Sequence, residues 1–412
     1  MASDNQGPLQ TPLSNYQQED AQLRGRGTVE LAIAPVLDLI AEHASYADQQ
    51  RNVHGEVIRQ IKANDIMRFT AADEIGGLNV GILDTAFELE AVAARCASTG
   101  WVLWNHLCTF HLFAGVMGPN QADFLREIVA NHGWVCFPAG ASTGVKGKQD
   151  DKRMLLNGKA AFGSGARYAD YAGVSFVVDS ETPPSFSLVA LDQAGVNVDG
   201  DWQAMSLRAS ATDTVYYKDA EVRLNNVVPF PFMYRVAFRD EKRPMIHTRY
   251  REDWVALSDM WLGFMAVGVL QACLDEVSFG IRERVAIMGV KVAERPLVQV
   301  NLGQAQVNIT AARDTLINAC LETDMRINAQ QIPTEANYLR QLSASVAALQ
   351  LCAQAMTLLQ RVLGGNGLRE GPAFERRFRD FQAMPLHINA HQDRVNEQMG
   401  RALLGLQTEN PF

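Results

Sequence analysis

Gly364-Gly365-Asn366-Gly367-Leu368 is followed by Glu375-Arg376-Arg377-Phe378-Arg379-Asp380, and that by Met384-Pro385-Leu386-His387-Ile388-Asn389. Three glycines in four positions do not propagate a helix, so they close the long helical pattern that precedes them. Upstream, helical periodicity runs over 254–287, 299–328 and 335–363, and the polar stretch after Asp380 is expected to add a fourth helix over 386–405. Pro296, Pro333 and Gly364-Gly365 punctuate these runs. Long helices joined by short links predict an antiparallel bundle over 231–412.

Toward the N-terminus the period changes. Between about 133 and 230, short β-type runs alternate with Gly, Asp, Asn and Pro breaks, as around Met154-Leu155-Leu156 and from Thr214 to Tyr217. This predicts a middle β-domain, a barrel or sandwich. Before it, 28–132 is helical again. Leu31, Ile33, Val36, Leu37, Leu39 and Ile40 share a face opposite Glu30, Asp38 and Glu42. Further helices are expected over 57–66, 83–96 and from Gly100 onward. Residues 1–27 are polar and read as a flexible tail without a charged-then-apolar leader. The fold class is therefore α+β and mostly α: helical domain, β-domain, helical bundle.

The 412 residues are 47% hydrophobic and 20% charged, enough for a large core. A formal net charge of −9 gives no general attraction for phosphate backbones and argues against nucleic acid as a partner. Six scattered cysteines form no Cys-x-x-Cys pair, which suggests reduced thiols. His387 and His391 are four apart, but no ligand cluster accompanies them, so no metal is expected. Read as a string, no apolar run reaches the roughly 18–20 residues of a membrane span, so no membrane partner is expected and the location expected is cytoplasmic.

The order of these regions, with the closing Gly turn and Arg-Asp segment, resembles the acyl-CoA dehydrogenase superfamily. Asp73-Glu74-Ile75-Gly76-Gly77-Leu78, Leu156 to Gly165 and Met205 to Thr212 resemble its other recurring turns and strand pairs. Dehydrogenases of that superfamily commonly place a catalytic Glu soon after the Arg-Asp. Here that stretch carries His387 and no carboxylate, and Cys136-Phe137-Pro138-Ala139-Gly140-Ala141-Ser142 lacks the acid of their usual Thr-Glu-Pro. Three positions, His106 after Ser98-Thr99-Gly100, Ser164 in Phe162-Gly163-Ser164-Gly165 and His387 after Arg379-Asp380, resemble the oxygenase components of two-component flavin-dependent monooxygenases, of the dibenzothiophene monooxygenase and hydroxyphenylacetate hydroxylase type.

The resemblance implies an activity: reduced FMN or FAD and O2 form a C4a-hydroperoxide that hydroxylates an aromatic or heteroaromatic small molecule. N- or S-oxygenation is a variant on the same scaffold. Ser164, between Gly163 and Gly165, is the expected hydroxyl beside the flavin. His106 and His387 are the expected catalytic histidines, because a near-neutral imidazole can take a phenol proton. Gly165, Arg284 and Gly364, Gly365, Asn366 and Gly367 are expected to hold cofactor, the last five across a subunit boundary, which implies a homo-oligomer, most often a tetramer. Trp104, His111 and Phe137 are expected at the substrate, with His111 able to exchange roles with His106. The loop 230–252, with Phe230, Phe232, Met233, Phe238 and Met245, is expected to shape the pocket, and His247, Arg249 and Arg251 read as an exposed basic turn, the alternative being a binding site for an acidic substrate.

No Gly-x-Gly-x-x-Gly follows a strand and opens a helix, so no nicotinamide-binding unit is evident. A monooxygenase of this kind receives its flavin already reduced, which implies a separate NAD(P)H:flavin reductase. The alternative is an acyl-CoA dehydrogenase with a relocated base, for which Glu252 and Asp253 are the nearest acids.

Overall fold

A computed structural model describes residues 30–138, 144–179, 182–231, 234–286, 289–388 and 390–408. The expected tail over 1–27, the Ala139 to Ser142 stretch and the loop residues Phe232 and Met233 lie outside them.

The N-terminal helices are α1 Ala34–Glu42, α2 Ala44–Gln50, α3 Gly55–Lys62, α4 Ile82–Arg95, α5 Ala97–Met117 and α6 Ala122–Ala130. Pro35 opens α1, where its missing N–H costs nothing. The helix expected over 57–66 is shorter, because Asn64 caps a separate 3-10 turn, Asp65–Arg68, by accepting the Ile66 N–H. Between α4 and α5 only Cys96 is extended, so the two helices meet at a sharp corner.

Two four-stranded sheets follow. Their strands are β1 Val135–Cys136, β2 Val145–Asp150, β3 Arg153–Gly163, β4 Tyr171–Phe176, β5 Ser185–Ala190, β6 Val196–Asp199, β7 Asp213–Arg223 and β8 Val228–Pro229. The orders are β1-β4-β5-β8 and β2-β3-β7-β6, and every pairing is antiparallel except β1 with β4. Strand β3 slips register against β7 between Ala160 and Gly163, and Phe162 sits there at φ 61°. That irregularity turns the chain at the end of β3 and aims the next residue, Ser164, away from the ladder.

The short helix α7 Tyr234–Arg239 leads to three long helices, α8 Trp254–Ile281, α9 Pro296–Asn328 and α10 Glu335–Leu363. They pack on one another, and α4 packs along α8 as a fourth member of the group. The C-terminal run expected as one helix over 386–405 is divided. Helix α11 Ala373–Ala383 carries the Arg-Asp segment, Pro385 sits in a 3-10 turn, and α12 Gln392–Leu403 is shorter than expected. One continuous apolar core runs from Ile33 through α4, α5 and the bundle to Ala390, so the helical regions on either side of the β-domain share their interior. The β-domain keeps a core of its own around Val145, Leu156, Val174 and Val215.

Helix α8 departs from the expectation about apolar runs. By length and composition it could cross a membrane, as could the helical run Glu335–Leu368, yet 89% and 56% of these windows are buried inside the protein, so much of their hydropathy is core. The 230–252 loop is also more internal than its charges suggest. Arg249 is buried and donates to Asn79 Oδ1 (2.7 Å) and the Val80 carbonyl (3.2 Å). Arg251 donates to the carbonyls of Phe238 and Arg243. The expected exposed basic turn is therefore an internal strap.

Candidate active site

Helix α5 lies between the β-domain and α8, and all 21 of its residues are buried. No solvent face marks its orientation in the sequence. Its side chains nonetheless divide by what they meet.

Trp101 donates from Nε1 to Ser164 Oγ at 3.0 Å. One turn on, Trp104 donates from Nε1 to the Ser258 carbonyl of α8 at 2.9 Å. The His387 ring stands edge-on to both indoles, with centroids 5.6 Å from Trp101 and 5.1 Å from Trp104. Ser164, Trp101, Trp104 and His387 thus form one cluster where β3, α5 and the turn before α12 converge. Nδ1 of His387 is enclosed without a hydrogen-bond partner among the described residues, and burial lowers its pKa to about 4, so the ring is neutral near pH 7.

Ser164 is the end of a chain of hydroxyls. Its Oγ is 3.0 Å from Thr212 Oγ1, which is 2.7 Å from Ser210 Oγ. Either hydroxyl of each pair can donate, because Thr212 Oγ1 has a lone pair for each neighbour. In one polarity Ser210 donates to Thr212, Thr212 donates to Ser164, and Ser164 also accepts from Trp101. Both lone pairs of Ser164 are then occupied and its own proton is free to point outward. Gly165 at φ 76° closes the turn and donates its N–H to the Ser210 carbonyl, fastening the two strand ends together.

The Arg-Asp segment holds this arrangement from behind. Asp380 Oδ1 accepts the Leu207 N–H at 2.6 Å, where Leu207 has φ 47°. Arg379 donates to the Met205 carbonyl at 2.8 Å and pairs with Asp48 and Glu375. Tyr168 OH donates to the Ala209 carbonyl. The 205–212 loop, which carries Ser210 and Thr212, is thereby clamped to α11. Burial pushes the Asp380 carboxyl up to about 7, against the Leu207 hydrogen bond that lowers it.

The other expected residues lie elsewhere. His106 is fully buried. Its Nε2 donates to the Met67 carbonyl and its Nδ1 accepts the Val135 N–H, both at 3.1 Å. With both nitrogens committed to backbone groups, it joins α5 to β1 and does not face Ser164. His111 donates from Nε2 to the Glu252 carbonyl at 3.1 Å, its ring lies against Tyr250, and its Nδ1 has no partner. It is outside the Ser164–His387 cluster, as is Phe137, which packs with Phe113 and Trp254. Arg284 lies past the end of α8, roughly 33 Å along that helix from Asp259 at 1.5 Å per residue. Gly364 to Leu368 form a 3-10 turn at the far end of α10, exposed except at the buried Gly367. Neither meets Ser164 within one chain.

Glu252 and Asp253, the nearest acids for a relocated base, are otherwise engaged. Glu252 takes both Arg326 Nε and Nη2 at 2.7 Å. Asp253 caps α8 through the Val255 and Ala256 N–H groups and faces Arg235 at 3.6 Å. The carboxylate that the sequence reading passed over is Asp259. It lies inside α8, fully buried, with no hydrogen-bond partner for either oxygen among the described residues. Trp101, Ser210 and Thr212 were likewise not singled out. The available signal was one acid within the apolar run Trp254 to Leu270, where a charge is costly unless it serves something.

Family models for the acyl-CoA dehydrogenase N-terminal domain and C-terminal domain match residues 30–118 and 260–392, together more than half of the chain. The chain belongs to the acyl-CoA dehydrogenase family. It is 24% identical over 382 residues to a pigment production hydroxylase from a Rhodococcus species, covering 90% of this chain and 95% of that protein. It is 24% identical over 391 residues to the oxygenase component of p-hydroxyphenylacetate 3-hydroxylase from Acinetobacter baumannii, covering 92% and 89%. Among solved structures, XiaF from Streptomyces, in complex with FADH2 and glycerol, superposes with a TM-score of 0.83 at 19% identity, covering 97% of this chain and all of that one.

A flavin fits the residues around Ser164. Phe162 and Met205, at the edges of the hydroxyl chain in sequence, are large apolar side chains left 64% and 60% exposed. Exposed apolar surface at the end of β3 and at the start of the 205–212 loop is of the kind that a flat ring would cover.

Proposed function

We propose that this chain is the oxygenase component of a two-component flavin-dependent monooxygenase that uses reduced FMN or FAD and O2 to hydroxylate an aromatic or heteroaromatic small molecule. The named activities of its relatives support this reading, and the Ser164 hydroxyl, held by Trp101 and Thr212 beside His387, is the observation that carries it. Reduced flavin, when bound, supplies the electrons that activate O2. Ser164 holds a proton at Oγ toward an acceptor atom of the ring, oriented by Trp101 and Thr212. Trp101 and Trp104 keep water from that side. His387, neutral and with Nδ1 unpartnered, accepts a phenol proton or hydrogen bond and so enriches the substrate ring in electrons. The reading includes a separate NAD(P)H:flavin reductase as partner.

A homotetramer belongs to the same proposal. Leu297, Val300 and Val307 of α9 and Leu368 beside the glycine turn are exposed apolar side chains that an assembly would cover. Arg284 and the turn Gly364 to Gly367 would then meet a neighbour's cofactor. A cytoplasmic location is also proposed, and six free, buried cysteines suit a reducing compartment.

The test is a stopped-flow mix of the protein holding reduced FMN, or reduced FAD, with oxygenated buffer. A long-lived absorbing transient before the spectrum of oxidised flavin is expected. Immediate reoxidation with stoichiometric hydrogen peroxide for both flavins would overturn the proposal. In that case Asp259 is the acid to test as the base of an acyl-CoA dehydrogenase, with acyl-CoA and an artificial electron acceptor.

A further inference from the structure

The side chains of α5 lead from Ser164 to Asp259. Trp101 touches Ser164, and Trp104 touches both His387 and Ser258. Cys108, one turn further, lies beside Ser258 and within the field of Asp259. Trp101 to Cys108 is seven residues, about 10 Å of helix, which is the length of a substituted aromatic molecule. Beside this row three buried polar groups lack any partner among the described residues: Nδ1 of His387, Oδ1 of Asn105 and both oxygens of Asp259. An enclosed carboxyl with neither oxygen satisfied is destabilising. It is retained in a folded chain when something else supplies the partner.

We infer that Asp259 and Asn105 form the far end of the substrate site, and that the substrate carries a hydrogen-bond-donating group there, an amine in preference to a carboxylate. The inference rests on the monooxygenase reading and adds the substrate class. The charges around Asp259 agree with it. Asp253 adds negative field, Arg235 and Arg239 act on Asp253, and among the described residues Arg394 of α12 is the cation whose field opposes the rise at Asp259. Arg394 makes no ion pair with Asp259, and its Nη1 donates to the Ile388 carbonyl. Burial raises the Asp259 carboxyl well above its ordinary range, so an uncharged ligand meets a neutral acid, whereas an ammonium group would draw out the carboxylate. A carboxylate-bearing substrate would meet two acids and no committed cation. The site would thus differ in specificity from the relative named for p-hydroxyphenylacetate.

Three phenols separate the possibilities: tyramine, 4-ethylphenol and 4-hydroxyphenylacetate share the ring and differ at the far end. They are titrated anaerobically by calorimetry into the full-length protein holding reduced flavin. Tyramine is expected to bind at least tenfold more tightly than 4-hydroxyphenylacetate, with 4-ethylphenol between them. In D259N, checked for folding by its melting curve, tyramine should fall to the level of 4-ethylphenol. Equal or tighter binding of the carboxylate by the unmodified protein, no measurable binding of tyramine, or an unchanged ratio in a folded D259N each overturns the inference. The wild-type comparison needs no variant. The oxygen-activation transient, read without substrate, tests the monooxygenase reading separately, so the two failures are distinguishable.

Discussion

His106 belongs to α5 and His387 lies against it on another face, and they differ in one respect. Toward β1, both nitrogens of His106 are satisfied by backbone groups. Toward α8 and the 384–388 turn, among the described residues, His387 keeps Nδ1 unpartnered, as Asn105 does its Oδ1 and Asp259 both its oxygens. On the first face His106 is satisfied within the chain and behaves as scaffold, with the Nε1 of its neighbour Trp134 the unpartnered atom there. The second has polar atoms waiting for a partner, as a binding site does before its ligand arrives. A single helix supplies both, so its identity says little and its rotation says everything.

The contrast is broken most directly by His106→Ala. It strands the Met67 carbonyl and the Val135 N–H, each costing about 1–3 kcal/mol, and adds a cavity. A large drop in thermal stability is expected by calorimetry. His387→Ala removes no hydrogen bond among the described residues and should lower substrate hydroxylation with little change in the melting temperature. If the stability effects were reversed, the assignment of the two faces would be wrong.

Ser164→Ala tests the reaction end of the second face. It removes the hydroxyl and leaves Trp101 Nε1 without its acceptor. By analogy with other single donors aimed at developing charge, a loss of roughly 10²-fold in the lifetime of the oxygen-activated state is expected. The readout is hydrogen peroxide released per flavin oxidised, which should approach one. A Trp101→Phe change, which keeps the ring and deletes the N–H, should give a smaller shift in the same direction.

How much of this was legible depended on periodicity. The bundle, the β-domain and the closing turn announced themselves through helical and two-residue periods and through Gly and Pro breaks. Ser164 and His387 were placed by the motifs around them. His106 was not separable from a site histidine, because α5 is buried on every side and offers no amphipathic stripe to orient it. The sequence search for an acid stopped at Glu252 and Asp253, just before α8. The informative residue was Asp259 inside that helix, where a single charge interrupts an apolar run. The hydroxyl chain needed three dimensions, since Ser164 and Thr212 are 48 residues apart.

Asp380 sharpens the link between the clamp and the site through pH. Its folded pKa, about 7, is raised above the ordinary 3.8 mainly by burial, with Asp48 also raising it and Arg379 and Arg376 opposing. The folded state therefore holds more protons than the unfolded state between these values, and the contribution of Asp380 to stability falls as pH rises through that window. Asp380→Asn keeps an oxygen for the Leu207 N–H and removes the titration. The variant should gain stability relative to the wild type on going from pH 5 to pH 8. Parallel melting curves across that range would exclude the buried carboxyl as the source.

The smallest expected effect on folding lies at the opposite extreme of the molecule. A methyl group added at Gly365 meets nothing within 4 Å, and Gly365 is not among the glycines with positive φ, unlike Gly364 beside it at φ 59°. Nothing inside one chain requires glycine there. Gly365→Ala should change folding stability by no more than about 0.5 kcal/mol, the usual scale for surface positions. If the turn meets a neighbour's cofactor, the same variant should weaken reduced-flavin affinity while the melting curve of the flavin-free protein stays unchanged. Unchanged affinity would confine the cofactor contacts to the Ser164 side and remove the glycine turn from the proposed intersubunit site.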